Sequence, residues 1–227
     1  MVRIVKSADV RQAEILDTSQ MLFYTKGYDN TSIRDIIDQI GIAKGTFYHH
    51  FNSKEELLDA LIARLMEQSL TILEPILADE QLTALEKLHS FFNEVSNLKM
   101  ENEALIRTLL PTWYADSNVI MREKMKQYSL NMFGPLYDQI VQQGIEEGVF
   151  TAEHPAEMGS IVFQTMYFMS ETLAKLLINP DNNQPWADVK NKIESYNSAL
   201  DSLLNAEPGS IQLFEFEPFE HWFKKED

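Results

Sequence analysis

Cysteine is absent from the 227-residue chain, so neither a disulfide nor a thiolate metal site can form. No apolar run reaches the roughly eighteen residues of a membrane helix, and the first residues lack the long apolar stretch of a signal peptide. A cytoplasmic protein with no membrane association is expected. Common enzyme signatures are missing too: there is no nucleophile elbow, no Walker loop and no Gly-rich dinucleotide turn. The histidines do not gather. His49 and His50 are adjacent and point about 100° apart on a helix, too far to share one ion. His89, His154 and His221 are scattered singles, and His154 beside Glu153 and Glu157 is only a thin hint of a metal site. No catalytic residue, metal or cofactor is expected.

Positive charge is scarce. Nineteen Lys and Arg face thirty-five Asp and Glu, for a formal net charge of −16. The imbalance is uneven. Residues 1–54 hold seven basic and six acidic residues, a balance of +1, and the remainder carries −17. One end is thus spared the acidity, and the rest repels polyanions and confines any nucleic-acid contact to that end. Arg3, Lys6 and Arg11 form a basic lead-in able to reach phosphates.

That end carries the most informative pattern. Ser32 and Asp35 have capping-box spacing, and Ile33, Ile36, Ile37 and Ile40 recur with the period of a helix. Gly41 stands where a left-handed residue ends such a helix. A second short helix follows from Lys44 to Phe51. Phe47 and Phe51 lie one turn apart and point inward, which places Gly45 and His49 on the opposite side, flanked by Thr46 and Tyr48. Ser53-Lys54-Glu55-Glu56 opens a third, long helix.

Two short helices joined by a tight turn, the second with a polar outer face, make a helix-turn-helix over about residues 32–51. Its residues suit a duplex. Gly45 lets the backbone approach closely, and the helix start offers N–H groups to phosphate. Thr46 can bond a base edge or cover a thymine methyl. Tyr48 and His50 can donate to phosphates, and Lys44 and Lys54 supply charge. A helical hairpin inside a larger bundle is the alternative, but packed hairpins seldom leave Thr, Tyr and two His on so short a helix.

Residues 8–61 resemble the DNA-binding domain of the TetR family of transcriptional regulators. The likeness rests on Arg11, Ile15-Leu16, Leu22-Phe23, Gly27-Tyr28, Thr31-Ser32, Ile36, Gly41, Lys44-Gly45-Thr46-Phe47-Tyr48, His50-Phe51, Ser53-Lys54-Glu55 and Leu57. It implies a major-groove recognition helix at Lys44–Phe51, with DNA contacts from Thr31, Ser32, Lys44, Gly45, Thr46, Tyr48, His49, His50 and Lys54. Two departures stand out. Ile37 and Ile40 replace the usual alanines, and Ala43 replaces a capping Ser, at a cost of about 1 kcal/mol.

The rest reads as helices: 53–76, 80–98 with Leu82, Leu85, Leu88, Phe91, Phe92 and Val95 on one face, 103–114, 116–148, 155–179 and 186–204. Gly134-Pro135 should kink or break the fourth of these. Residues 179–185 read as a loop. The tail from Pro208 is acidic and aromatic, with Phe214, Phe216, Phe219, Trp222 and Phe223 and a short strand-like stretch at 210–216.

Phe91, Trp113, Met121, Tyr128, Met132, Phe163, Met166 and Tyr167 belong to a Met-rich aromatic set. Each residue alone reads as core, but the resemblance implies a ligand domain here, and such side chains make adaptable pocket walls. Glu94, Glu101 and Glu171 lie near these segments, which points to a cationic lipophilic guest. The family also implies a homodimer formed by the last two long helices.

The expected fold is all-α. An N-terminal three-helix DNA-binding domain with a helix-turn-helix, residues 1–61, precedes a larger helical ligand-binding and dimerisation domain, residues 62–227. The expected function is a ligand-responsive DNA-binding regulator, a repressor released from a palindromic operator by a small apolar or cationic molecule. An architectural DNA-binding protein without a small ligand is the alternative, and an enzyme on a borrowed fold is a third class.

Overall fold

The computed structural model describes residues 7–178, 186–213, 220 and 222–223. Arg3, Lys6, the 179–185 loop, the side chain of Val95, and Phe214, Phe216, Phe219 and His221 lie outside the described residues. Among the described residues the fold is all-α: α1 Ala8–Lys26, α2 Ile33–Ile40, α3 Lys44–His50, α4 Lys54–Ala78, α5 Ala84–Glu101, α6 Glu103–Tyr114, a 3-10 turn Asp116–Asn118, α7 Val119–Glu146, α8 Pro155–Ile178 and α9 Trp186–Leu204. Residues 210–213 form no strand.

The chain divides into two compact units. The first takes the chain up to Glu67 together with Leu109–Tyr128; the second takes Gln68–Thr108 and the chain from Ser129 on. Helices α4, α6 and α7 therefore each contribute residues to both.

In the first unit, Ile15, Phe23, Ile36, Phe47, Leu57, Leu58, Leu61 and Ile62 are fully buried and form one core. Of the α2 isoleucines only Ile36 is fully buried; Ile33, Ile37 and Ile40 are half-buried. The α2 capping box forms as its spacing requires. The Ser32 hydroxyl accepts from the Asp35 N–H, and the Asp35 carboxylate accepts from the Ser32 N–H. The Ser32 hydroxyl and N–H, both donating to the Asp35 carboxylate, and then Lys26 hold that carboxyl down at about 2. At the start of α4 the box is shifted. Ser53 Oγ accepts from Glu56 N–H, but the Glu56 carboxylate reaches back to Asn52 instead.

In the second unit, α7 and α8 approach closely. A Cβ on Gly159 would run into the backbone of Tyr137 and Asp138, and one on Gly134 would come within 2.7 Å of Ser160 Oγ. α7 runs unbroken through Gly134-Pro135, so the expected break does not occur. Pro135 and Asn131 are both exposed, so the carbonyl that loses its helical partner can bond water. Gly134 thus serves contact with α8 rather than opening a space.

The chain after α9 folds back on this unit. The buried Asp201 carboxylate accepts from the Gly209 and Ile211 N–H groups at 2.7 and 3.0 Å. Ile211 and Leu213 are buried, and the Gln212 N–H donates to His89 Nε2 on α5. Further along, Arg107 of α6 donates to the Trp222 carbonyl and lies over its ring. Burial holds the His89 imidazole below its ordinary 6.5, against the opposing pull of a Ser210 backbone bond and Glu86. The sign follows. The neutral ring is the docked form, so its contribution is complete above about pH 6.5 and is lost as pH falls through the lower folded value. Amide exchange at Gln212 should therefore quicken as pH drops from 7 to 5, after correction for intrinsic rates. His89→Phe should abolish that pH dependence.

Candidate nucleic-acid interface and effector region

α3 is seven residues long, and its sequence divides its two sides. Phe47 is fully buried, and Phe51, just past its end, is 2% exposed. These rings anchor the helix at 6.1 Å from each other. Lys44, Gly45, Tyr48 and His49 are exposed on the other side, with Thr46 and His50 half-buried. Lys44 Nζ lies 5.6 Å from the centre of the Tyr48 ring. Gly41 turns the chain between α2 and α3 at φ 75°, a left-handed angle that costs a side-chain-bearing residue strain. Ala43 stands at the α3 N-cap with no side-chain hydrogen bond, and the Thr46 N–H closes on its carbonyl at 2.9 Å, which leaves the N–H groups of the exposed Lys44 and Gly45 for a phosphate.

The nine residues expected at DNA do not all sit alike. Thr31 is fully buried, and its hydroxyl donates to the Gly27 carbonyl at 2.8 Å. Ser32 is exposed, but its hydroxyl serves the α2 cap. Lys54 Nζ donates to the carbonyls of Tyr28 and Thr31 at 2.8 and 2.9 Å and lies 4.1 Å over the Tyr28 ring. Burial lowers its pKa. Lys54 thus ties the loop before α2 to the start of α4. The outward group that remains is Lys44, Gly45, Thr46, Tyr48, His49 and His50.

A residue that sequence reasoning missed holds this head together. Asn118, in the 3-10 turn between α6 and α7, is fully buried. Its Oδ1 accepts from the Tyr28 N–H at 2.7 Å, and its Nδ2 donates to the carbonyls of Phe23 and Thr112 at 3.1 and 3.0 Å. Beside it, the Asp29 N–H donates to the Ser117 carbonyl at 2.8 Å. Gly27, at φ 93°, leaves room for Ser117 where a Cβ would clash with its side chain. Lys124 of α7 pairs with Asp59 and Glu55 of α4, and Arg64 of α4 pairs with Asp17 of α1. The α6–α7 junction is thus part of the unit that carries α3.

The eight ligand candidates are divided by the structure. Trp113, Met121 and Tyr128 belong to the first unit. Trp113 packs edge-on against Tyr24 of α1, Met121 is fully buried, and Tyr128 is exposed. Phe91, Met132, Phe163, Met166 and Tyr167 belong to the second. There Phe91, Phe133, Tyr137 and Phe163 form a continuous aromatic cluster with ring centroids 5.2 to 5.6 Å apart. Glu94 and Glu101 are exposed, and Glu171 pairs with Lys175. A groove of about 470 Å³ along α9 is lined by Asp188, Asn191, Lys192, Ser195, Tyr196 and Ala199. None of the eight borders it. Among the described residues no three His, Asp or Glu gather as a metal site would require, and no helix is long and apolar enough to cross a membrane.

A short helix with a polar outer face, carried on a small helical head and followed by a larger helical unit, defines a helix-turn-helix transcriptional regulator. The known proteins agree. Residues 15–61 match the family described as bacterial regulatory proteins, tetR family, and residues 96–178 match a tetracyclin repressor-like C-terminal domain. The uncharacterized HTH-type transcriptional regulator YfiR of Bacillus subtilis is 24% identical, over 88% of this chain and 94% of its own. The HTH-type transcriptional repressor KstR2 of Mycobacterium tuberculosis is 28% identical, over 66% of this chain and 74% of its own. A crystal structure of a TetR-family transcriptional regulator from Syntrophomonas wolfei superposes with a TM-score of 0.59 at 25% identity, covering 88% of this chain and 97% of that one. The chain belongs to the TetR family of transcriptional regulators and is a ligand-responsive DNA-binding regulator. Nothing favours the architectural alternative.

Asn118→Ala should leave the buried Tyr28 N–H without a partner and take one of two bonds from each of the Phe23 and Thr112 carbonyls, which keep the Gly27 and Ala115 N–H groups. The expected loss is about 2 kcal/mol. Arg34→Ala, which breaks an exposed ion pair with Asp38, should cost less than about 0.5 kcal/mol. Urea unfolding of both variants checks the contrast.

Proposed function

We propose that the chain is a cytoplasmic, homodimeric repressor that leaves a palindromic operator when a small apolar molecule enters its second unit. The observation that carries this is the outward face of α3. Gly45, Thr46, Tyr48 and His49 are given to no other element, while Phe47 and Phe51 fix the helix from behind. In such a dimer the two copies of α3 read inverted half-sites. Lys44 supplies phosphate charge, since Lys54 is engaged with the head itself. Thr31 and Ser32 act by holding α2.

Effector binding among the aromatic residues of the second unit would be felt through α4, α6 and α7, whose residues belong to both units. The Asn118 junction gives α6 and α7 a rigid grip on the α1–α2 turn. A shift of those helices would move α3 out of register with its operator half-site.

The purified protein, offered a random duplex library at about 150 mM salt, should enrich a near-palindrome of about 15–30 base pairs. Thr46→Ala should change the preferred bases. Lys44→Ala should weaken all sequences alike and lower the salt slope by about one. An unenriched library contradicts the proposal.

The dimer surface follows from burial. Val162, Met166, Met169, Ile193, Leu200 and Leu204 are already buried within the protomer. The surplus apolar face is the exposed pair Ile161 and Phe168 on α8, two turns apart, with Thr165 and Thr172 between and beyond. Phe168→Glu should therefore yield folded monomers that no longer hold the operator, which sedimentation and gel shift together would reveal. Leu200→Glu should instead unfold the protomer, since it buries a charge.

A further inference from the structure

The second unit carries hydrogen-bonding capacity that the protein does not use. Tyr137 is fully buried in the aromatic cluster, between Phe91 of α5 and Phe163 of α8, and its hydroxyl has no hydrogen-bond partner among the described residues. A buried phenol left unpaired is destabilising, and native interiors rarely retain one without a reason. Lys99 lies on α5 seven residues after the buried Phe92 and three after the buried Ser96, on the same face. It is half-buried, and its ammonium has neither an ion-pair nor a hydrogen-bond partner among the described residues. Burial, with no carboxylate to offset it, pulls its pKa below that of an ordinary lysine.

Both unspent groups can donate, and the ammonium can do nothing else. Lys87, buried on the same helix, is already bonded to the Leu77 carbonyl. The buried carboxylate of Asp201 is filled by backbone N–H groups of the tail. Asn197 has an unpaired Oδ1, but an amide offers donor and acceptor alike and selects no charge. The carboxylates that would greet a cation are exposed or paired, as at Glu94, Glu101 and Glu171. From Phe91, which holds the Tyr137 ring, to Lys99 is eight residues, about 12 Å along the helix.

Resting on the reading of this unit as the effector unit, we propose that the effector is an elongated apolar anion: its carboxylate pairs with Lys99, its body lies against the aromatic cluster, and a second acceptor oxygen takes the Tyr137 hydroxyl. This reverses the cationic guest expected from the sequence.

Direct calorimetric titration with decanoate, decanol, decyltrimethylammonium and 8-oxodecanoate tests it. Wild-type protein should bind decanoate at least tenfold more tightly than the alcohol or the ammonium, and 8-oxodecanoate several-fold more tightly again. Lys99→Met, which keeps the apolar stem, should erase the preference for the carboxylate. Tyr137→Phe should keep decanoate binding, lose the extra gain from the keto group, and leave the unfolding temperature unchanged or higher. A preference for the ammonium, binding of none of the four, or a decanoate affinity unmoved in Lys99→Met overturns the proposal. So does a Tyr137→Phe protein that unfolds several degrees earlier, because the hydroxyl would then have a partner. Operator binding is scored separately by gel shift. A protein that holds its operator but ignores carboxylates sinks this inference alone, whereas one that binds no operator sinks the regulator reading.

Discussion

One side-chain amide sets the shape of the DNA-binding head. Asn118 offers two donors and an acceptor, and all are spent inside the protein on groups from α1, the turn after it, and the end of α6. A buried amide costs free energy unless each polar atom is paired, so this arrangement is kept whole or lost whole. It binds a turn near residue 118 to one near residue 28. The head that carries α3 is therefore built from two stretches of chain, and no cut at a single position would separate it from the rest.

This has a consequence for regulation. A helix that ends in a rigid joint transmits displacement; one that ends in a loop absorbs it. α6 ends against Asn118 and Arg122, the latter donating to the carbonyls of Trp113 and Ala115. α7 begins there and is further held to α4 by Lys124. The close packing of α7 on α8 at Gly159 stiffens the other end of α7. In the proposed mechanism side chains rather than loops define the path, since sub-ångström shifts of packed helices are the kind of motion such joints pass on.

Much of this was legible in the sequence, and the rest was hidden for identifiable reasons. The helix-turn-helix could be read because its signals are local: a capping box at Ser32, a left-handed Gly41, and Phe47 and Phe51 one turn apart. Helices 103–114 and 186–204 were read to the residue. α5 starts at Ala84, four residues after the expected 80, because the Thr83–Glu86 capping box opens it there. Gly134-Pro135 misled because a Pro breaks a helix only where its lost bond cannot be replaced, and solvent exposure is not written in the sequence. Lys54 reads as DNA-facing from its charge and Thr31 from the resemblance, yet Lys54 bonds the carbonyls of Tyr28 and Thr31, more than twenty residues back, and the buried Thr31 bonds that of Gly27. Asn118 and Tyr137 were missed altogether. The first is defined by neighbours about ninety residues away, the second by a partner it lacks.

Native-state hydrogen exchange, run with and without an operator duplex, tests the account most directly. The Tyr28 and Asp29 amides donate to Asn118 and Ser117. They should be as slow to exchange as Phe51, whose amide closes α3, and should slow further together with α3 when the operator is added. Rapid exchange at Tyr28 and Asp29 beside a protected α3 would contradict the account, because the α6–α7 junction would then be no part of the head that reads DNA.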